Sequence, residues 1–426
     1  MSTRNGYRLT EIGEIPIEWK VATLSDLVTR LENGLTYKQN SGGNGIPITR
    51  IETISDEKID SGKVGLVEGL SDDEISRHRL EVGDILFSHI NSVEHIGKTA
   101  IYRQEPPLLI HGMNLVLIRP KKGCVNPYFL LYYMKYGPTR NRFRSLAKNA
   151  VNQASINTTE LKAFKVPVPP LVEQDEVATI LATVDEAIER IDEIISTTQR
   201  LKKGLMQHLL TKGIGHTKFK QTEIGEIPEN WKVTPIGSIT QVRNGSTPRR
   251  NINEYWENGT IPWVPTTQVN ERFITVAREY ITDVAIRETH LPLVPRGSLL
   301  LAMIGQGLTR GKVAKLLIDA TINQNFAAIY PCESLDSDFL FHYLAHNYLR
   351  IRNMGRGGNQ WALNCDVVRS ILIPEPPKDE QEKIAKILSS VDEKSETETE
   401  RRQQLTQLKR GLMQDLLTGK VRVKVN

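Results

Sequence analysis

The chain repeats itself, and the spacing of the repeat limits what it can fold into. Residues 200–213, RLKKGLMQHLLTKG, return at 407–420 as QLKRGLMQDLLTGK, with nine of fourteen positions identical. TEIGEIPIEWKV (10–21) returns as TEIGEIPENWKV (222–233), and VGDILFSHI (82–90) shares its pattern with RGSLLLAMI (296–304). LVLIRP (115–120) matches FAAIYP (326–331), NQASIN (152–157) matches NQWALN (359–364), and VPVPP (166–170) matches IPEPP (373–377). The offset stays between 207 and 214. Such a period is far too long for a solenoid, and two copies cannot build one. The chain is a tandem duplication of one complete unit: a mixed segment of about 160 residues, then one of about 40.

The shorter segment reads as a long helix. Paired prolines at 169–170 and 376–377 stop what precedes it. An acidic opening follows (Glu173, Asp175, Glu176; Asp379, Glu380, Glu382), then a basic close (Lys202, Lys203; Lys409, Arg410) and a glycine, Gly213 or Gly419. That is the polarity the helix dipole favours, with start and stop signals in order. Val177, Leu181, Val184, Ile188, Ile191, Ile195, Thr198, Lys202, Leu205 and Leu209 recur at alternating steps of four and three, a heptad seam. In the second copy Ile384, Leu388 and Val391 open the seam and Leu405, Lys409, Leu412 and Leu416 close it. Between them DEKSETETERRQQ (392–404) has no apolar residue, so either the helices separate there or Ile191, Ile194 and Ile195 face another subunit. Gly204 and Gly411 lie inside the helices, where glycine costs about 1 kcal/mol relative to alanine. Close approach of a neighbouring backbone is the expected compensation.

The longer segment reads as mixed α/β. GDILFSHI and LVLIRP have the apolar content of strands, while PYFLLYYMKYGPTRNRFRSL and SDFLFHYLAHNYLRIRNM read as helices.

The 426 residues contain no apolar run long enough to span a membrane, and the first fourteen lack the apolar core of a signal peptide, which predicts a cytoplasmic protein. Three separated cysteines fit a reducing compartment and exclude a CxxC zinc site. The net charge of +5 permits a nucleic-acid partner without requiring one.

Catalytic motifs fail on inspection. NPYF (126–129) lacks the second proline of an amino-methyltransferase motif, and its counterpart is SDFL, so it reads as a helix start. GQGLTRGKV (305–313) has the wrong glycine spacing for a phosphate loop, with Val313 where a magnesium-binding hydroxyl is needed. IEWK (17–20) lacks an upstream aspartate, and the nine histidines form no metal-spaced cluster. What recurs at matching places in both copies is polar, basic loop chemistry: TYKQN, SRHR, SHIN and TRNRFRSLAKN in the first, NGSTPRRN, TTQVN, GQGLTRGK and RIRNMGRGGNQW in the second. Arg and Lys hold phosphates, and Asn, Gln and Arg read base edges. A DNA-binding module is favoured over a duplicated coiled-coil scaffold and over a self-sufficient DNA methyltransferase.

Two units that open TEIGEIPxxWKV and close on NQxxxN, P-x-PP, EQ and (K/R)GLMQxLLT resemble the specificity subunit of type I restriction–modification systems across nearly the whole chain. The resemblance implies two similar mixed α/β (α+β) target-recognition domains, separated by two long antiparallel helices that form a coiled coil, with a pseudo-twofold internal repeat. The expected segments are 1–168 and 213–375 for the domains, 169–212 and 376–420 for the conserved helices, and 421–426 for a tail. It implies no catalysis by this chain and no cofactor bound to it. S-adenosylmethionine belongs to two methyltransferase subunits, and ATP with magnesium to restriction (motor) subunits. The expected target is double-stranded DNA read as two different half-sites. Expected DNA contacts are Lys38, Gln39, Arg77, Arg79, His89, Asn91, Arg142 and Lys148 in the first copy. In the second they are Arg249, Arg250, Gln268, Gln306, Arg310, Lys312, Arg356 and Gln360. The shared Asn152–Gln153 and Asn359–Gln360 are better suited to fixing a loop or a phosphate than to reading different bases. Ile188, Ile191, Ile195, Gly204, Leu205, Met206, Leu209, Gly411, Leu412, Met413 and Leu416 are expected to pack the helices or bind a partner.

Overall fold

The signature TEIGEIPxxWKV is a β-hairpin followed by an anchor. In the computed structural model, which describes residues 4–38, 44–150, 153–305, 307–354 and 363–423, Tyr7–Thr10 pairs antiparallel with Gly13–Pro16, and Phe219–Thr222 with Gly225–Pro228. Gly13 and Gly225 turn these hairpins at φ +111° and +108°, a conformation that only glycine adopts at low cost. Trp19 and Trp231 follow, both fully buried. Their indole N–H groups donate to Glu173 at 3.0 Å and to Glu380 at 3.1 Å. These two carboxylates, which the sequence offers as helix-dipole acids, are therefore also the acceptors that tie each hairpin to a long helix.

The neighbouring glutamine completes the joint. Gln174 donates to the Pro169 carbonyl at 2.9 Å and accepts from the Asn126 backbone N–H at 2.8 Å. Gln381 donates to the Pro376 carbonyl and accepts from the Asp336 N–H, both at 2.8 Å. Asn126 and Asp336 are the N-caps of the helices Pro127–Lys135 and Ser337–His346. NPYF is thus a helix cap, as its sequence context implies: the Asn126 Oδ1 accepts from the N–H groups of Tyr128 and Phe129. The two long helical readings of the mixed segments break at Tyr136 and at Asn347, giving Gly137–Leu146 and Tyr348–Met354 as separate helices.

The long helices are continuous, a central one over Leu171–Lys212 and a C-terminal one over Lys378–Leu417. Packing divides the chain into a first unit, residues 1–192 with 401–426, and a second unit, residues 193–400. Each unit therefore takes one half of each long helix.

In the first unit, strands β1 (Val28–Asn33), β2 (Ile85–Phe87), β3 (Thr99–Ile101) and β4 (Val116–Pro120) form an antiparallel sheet in the order β1-β4-β2-β3. The core between this sheet and the helices includes Phe87, Phe129, Phe143, Val177, Leu181, Met413 and Leu416. In the second unit, β5 (Val242–Asn244), β6 (Phe273–Ile274), β7 (Leu299–Ala302), β8 (Val313–Leu316) and β9 (Phe326–Ile329) lie in the order β5-β9-β7-β8-β6. There Leu209, Leu210, Ile384 and Leu388 pack with Phe339, Phe341 and Ile373. β2, β4, β7 and β9 fall where the apolar runs place strands.

The polar stretch 392–404 does not part the helices. Arg402 pairs with Asp192 in the first unit, and Lys202 with Asp392 in the second. Asp185 pairs with Lys409 at 2.5 Å in the first unit. Partners rise along one helix as they fall along the other, so the packing is antiparallel. Asp185 and Lys409 stand 207 residues from Asp392 and Lys202, so one ion pair is built twice. Tyr132 donates to Asp185 at 2.9 Å, and Arg272 adds a second cation to Asp392 at 2.8 Å. Burial pushes the Asp392 carboxyl upward, but Arg272 and Lys202 outweigh it and hold the group below its usual range.

The two interior glycines correct the sequence reading. Among the described residues a Cβ at Gly204 or Gly411 would meet nothing within 4 Å, so none of their backbone compensates the helical cost. Gly213 and Gly419, just past the helices at φ +65° and +69°, do have close neighbours.

Two buried histidines give the fold an acid limit. His111 and His342 are essentially inaccessible, and burial pushes both down to about 4. A folded pKa below the unfolded value of about 6.5 means that the unfolded chain takes up protons first as pH falls, so stability is lost between about pH 6.5 and 4. His342→Gln is expected to lessen the stability loss between pH 7 and 4.5 by about 2 kcal/mol in denaturant titrations. Equal losses in variant and parent would contradict a neutral buried imidazole.

Candidate nucleic-acid interface

The residues singled out as DNA contacts divide by what their side chains already do. In the first unit Lys38 and Arg79 are exposed, and Arg77 is exposed on the helix Asp72–His78 with Asp73 at 2.6 Å. Lys148 is exposed and, among the described residues, has only Glu160, at 3.8 Å, as an ion partner. An exposed pair of this kind stabilises little and leaves the cation available to phosphate.

Asn91 is half-buried and donates to Ser88 Oγ at 3.1 Å, which fixes the turn after β2. His89 is 5% exposed; its Nδ1 meets no partner among the described residues, and burial lowers its pKa. Arg142 is a correction. Its guanidinium lies 4.3 Å from the Phe164 ring centre and donates to the Tyr133 hydroxyl and the Lys165 carbonyl. It holds the helix Gly137–Leu146 to its own unit. Gln39 and Asn152 lie outside the described residues, as does the side chain of Gln153.

In the second unit Arg249 and Arg250 are exposed. Arg250 lies over Trp256 at 3.8 Å and Trp263 at 4.9 Å and pairs with Glu279, so aromatic faces hold the cation in place. Lys312 is half-buried and donates to Asn270 at 2.7 Å. Gln268 is a second correction: fully buried, it donates to the Val276 carbonyl and accepts from the Arg278 N–H, both at 3.0 Å. Arg310 is buried as well, 5% exposed. Gln306, Arg356, Asn359 and Gln360 lie outside the described residues.

Position in sequence could not separate these cases. Arg142 and Arg144 are two residues apart on one helix, yet one is spent on Phe164 and the other is exposed.

The second unit also carries a polar cleft of about 420 Å³. Asn244 at the end of β5, Gln324 and Asn325 before β9, and Asn364 line it above Met303 and Leu363. Asp366 and Arg369, also in the lining, neutralise one another at 2.6 Å. Nothing in the sequence marks Gln324 and Asn325 as neighbours of Asn244 and Asn364. Only strand pairing brings those positions together.

Among the described residues no group of three or more His, Cys, Asp or Glu side chains could hold a metal ion, and no helix is long and apolar enough to cross a membrane. The segment GLTRGKV leads into strand β8 rather than a helix, so it lacks the helix N-terminus that a phosphate loop uses.

Known proteins share this construction. Residues 16–198 and 228–407 match the family described as the type I restriction modification DNA specificity domain. The type I restriction enzyme MjaX specificity subunit of Methanocaldococcus jannaschii is 41% identical over 423 residues, covering 98% of this chain and 97% of that one. The EcoR124I/EcoR124II specificity subunit of Escherichia coli is 26% identical over 239 residues, 55% of this chain and 57% of its own length. In fold, the S subunit of a type I restriction–modification system from M. genitalium aligns with a TM-score of 0.62 at 14% identity, covering 100% of this chain and 99% of that one. The duplicated frame, the helices packed together and these matches agree: the chain belongs to the type I restriction–modification specificity subunits, the DNA-recognising and non-catalytic members of those systems.

Proposed function

We propose that residues 1–168 and 213–375 are two target-recognition domains that read the two different halves of a bipartite, asymmetric site in double-stranded DNA. Residues 169–212 and 376–420 then serve as the conserved helices that set the spacing, and 421–426 as a tail. One observation carries this reading. The repeated residues are those that build the frame (Trp19 and Trp231, Glu173 and Glu380, Gln174 and Gln381), while the exposed loop residues differ between copies. Identical frames with unlike loops suit two unlike half-sites.

The partners follow from the same duplication. Leu201 is 55% exposed and Leu408 is 52% exposed, each three residues before an open glycine, Gly204 or Gly411. An exposed leucine beside an open glycine is a surface against which another helix can pack closely, and here it is made twice. That supports two copies of one methyltransferase subunit, which bring S-adenosylmethionine. Restriction subunits that use ATP and magnesium join in a restricting complex. This chain would supply the address and leave the chemistry to them.

Phosphate contacts by Lys38, Arg77, Arg79, Lys148 and Arg249 make a salt dependence unavoidable. For these five contacts the affinity of the complex of this chain with its methyltransferase subunits should fall roughly five hundredfold between about 50 and 200 mM salt. DNA binding that is absent, or indifferent to salt, would favour a scaffold.

A further inference from the structure

The cleft in the second unit is built from elements that the first unit repeats register for register. Asn244 stands opposite Ala327 in the β5–β9 pair, and Asn33 opposite Val116 in the β1–β4 pair, 211 residues earlier on both strands. The next residue is glycine in both because the chain crosses a backbone there. A Cβ at Gly245 would come within 1.8 Å of the Ile322 carbonyl oxygen, and one at Gly34 within 2.1 Å of the His111 oxygen. The same oxygens accept from Ser246 N–H at 3.0 Å and Leu35 N–H at 2.8 Å. Behind the cleft, Leu363 N–H donates to the Met303 carbonyl at 2.9 Å, and Ile156 N–H to the His89 carbonyl at 2.8 Å. Asn364 and Asn157 then cap equivalent short helices.

Among the positions of this matched frame that change chemistry between the copies is one exposed side chain. It immediately precedes a shared asparagine (Asn325, Asn114) that leads into β9 or β4. In the second unit it is Gln324, an exposed amide in the lining of the cleft. In the first it is Met113, 41% exposed. The Gln324 Oε1 accepts from the Thr247 hydroxyl, which fixes the amide. Among the described residues nothing claims the second lone pair on that oxygen or either N–H donor. A fixed side-chain amide can make paired hydrogen bonds to an adenine edge, whereas an exposed thioether can offer only apolar contact, as to a thymine methyl.

We propose that positions 324 and 113 are equivalent specificity determinants, Gln324 reading a base edge by hydrogen bonds for the second unit and Met113 reading one by apolar contact for the first. Residues that repeat in both copies position the duplex, and this pair makes the two readings unlike. The proposal rests on the reading of the chain as a two-domain DNA-recognition subunit.

The test uses the complex of the full chain with its methyltransferase subunits, with sequencing of methylated bases in DNA from cells that express it. Gln324→Met is expected to change or relax one base position in one half-site, with discrimination there falling roughly tenfold to a hundredfold. Met113→Gln is expected to alter one position in the other half-site. A motif identical to the parent's for both variants overturns the proposal. For a variant that methylates nothing, selection by the purified assembled complex from duplexes randomised over both half-sites decides. Enrichment of a motif altered at one position supports the proposal, and no enrichment, or the parental motif, contradicts it. If the parent itself directs no two-part methylated sequence, the underlying reading fails instead, and the two failures are distinct.

Discussion

Trp231→Ala is expected to destabilise the second unit by about 3–5 kcal/mol, the cost of truncating a fully buried aromatic side chain. The indole fills the space between hairpin and helices, and its N–H satisfies Glu380. That carboxylate would keep His216 at 2.8 Å and the Ile214 N–H at 2.9 Å, which limits the electrostatic part of the loss. Gly213→Ala should destabilise through the same joint. It asks alanine to hold φ +65° and puts a Cβ 2.6 Å from the indole and 2.5 Å from Glu380 Oε1. Because both changes act on one contact, their effects should not add: removing the indole removes part of the clash.

Gly204→Ala, nine residues earlier and inside the central helix, should have the opposite sign. None of the described residues lies within 4 Å of its Cβ position, so the isolated chain gains up to about 1 kcal/mol of helix propensity. If the open glycine receives a partner helix, assembly weakens while the chain itself grows more stable. Denaturant titration of the chain, with co-purification of the methyltransferase subunit, separates the two effects. A Trp231→Ala protein with parental stability would show that the repeated signature does not anchor the unit.

The signature explains which parts of the fold can be read from sequence. Strands β2, β4, β7 and β9 announce themselves because a buried strand is a short apolar run bounded by turns. The long helices announce themselves by heptad spacing, prolines before and glycine after. These are local signals, and duplication doubles them. The function of Glu173 was hidden because its partner, Trp19, lies 154 positions away, and a first-turn acid already has an adequate local reason to be there. The same distance problem governs the candidate contacts. Gln268 looks like any polar loop residue until Val276 and Arg278 claim its amide. Lys38 and Arg249 look no different in sequence and are exposed. Composition marks the basic loops as a group, but only three-dimensional pairing separates side chains that hold the loop from those that face outward.

Replacing residues 22–160 with the corresponding segment of another specificity subunit should rewrite one half of the DNA target and leave the other untouched. The exchanged segment carries strands β1 to β4 and the loops bearing Lys38, Arg77, Arg79, Met113 and Lys148. The retained joint residues Trp19, Glu173 and Gln174 lie outside it and would seat the new segment on the same helices. Single-molecule sequencing of methylated bases measures this directly in cells that express the methyltransferase subunit with the native chain, with the exchanged chain or with neither. The account predicts a two-part asymmetric motif with the native chain, the same motif altered in one half with the exchanged chain, and none without it. Methylation that persists without the chain, or an exchange that alters both halves together, would contradict it.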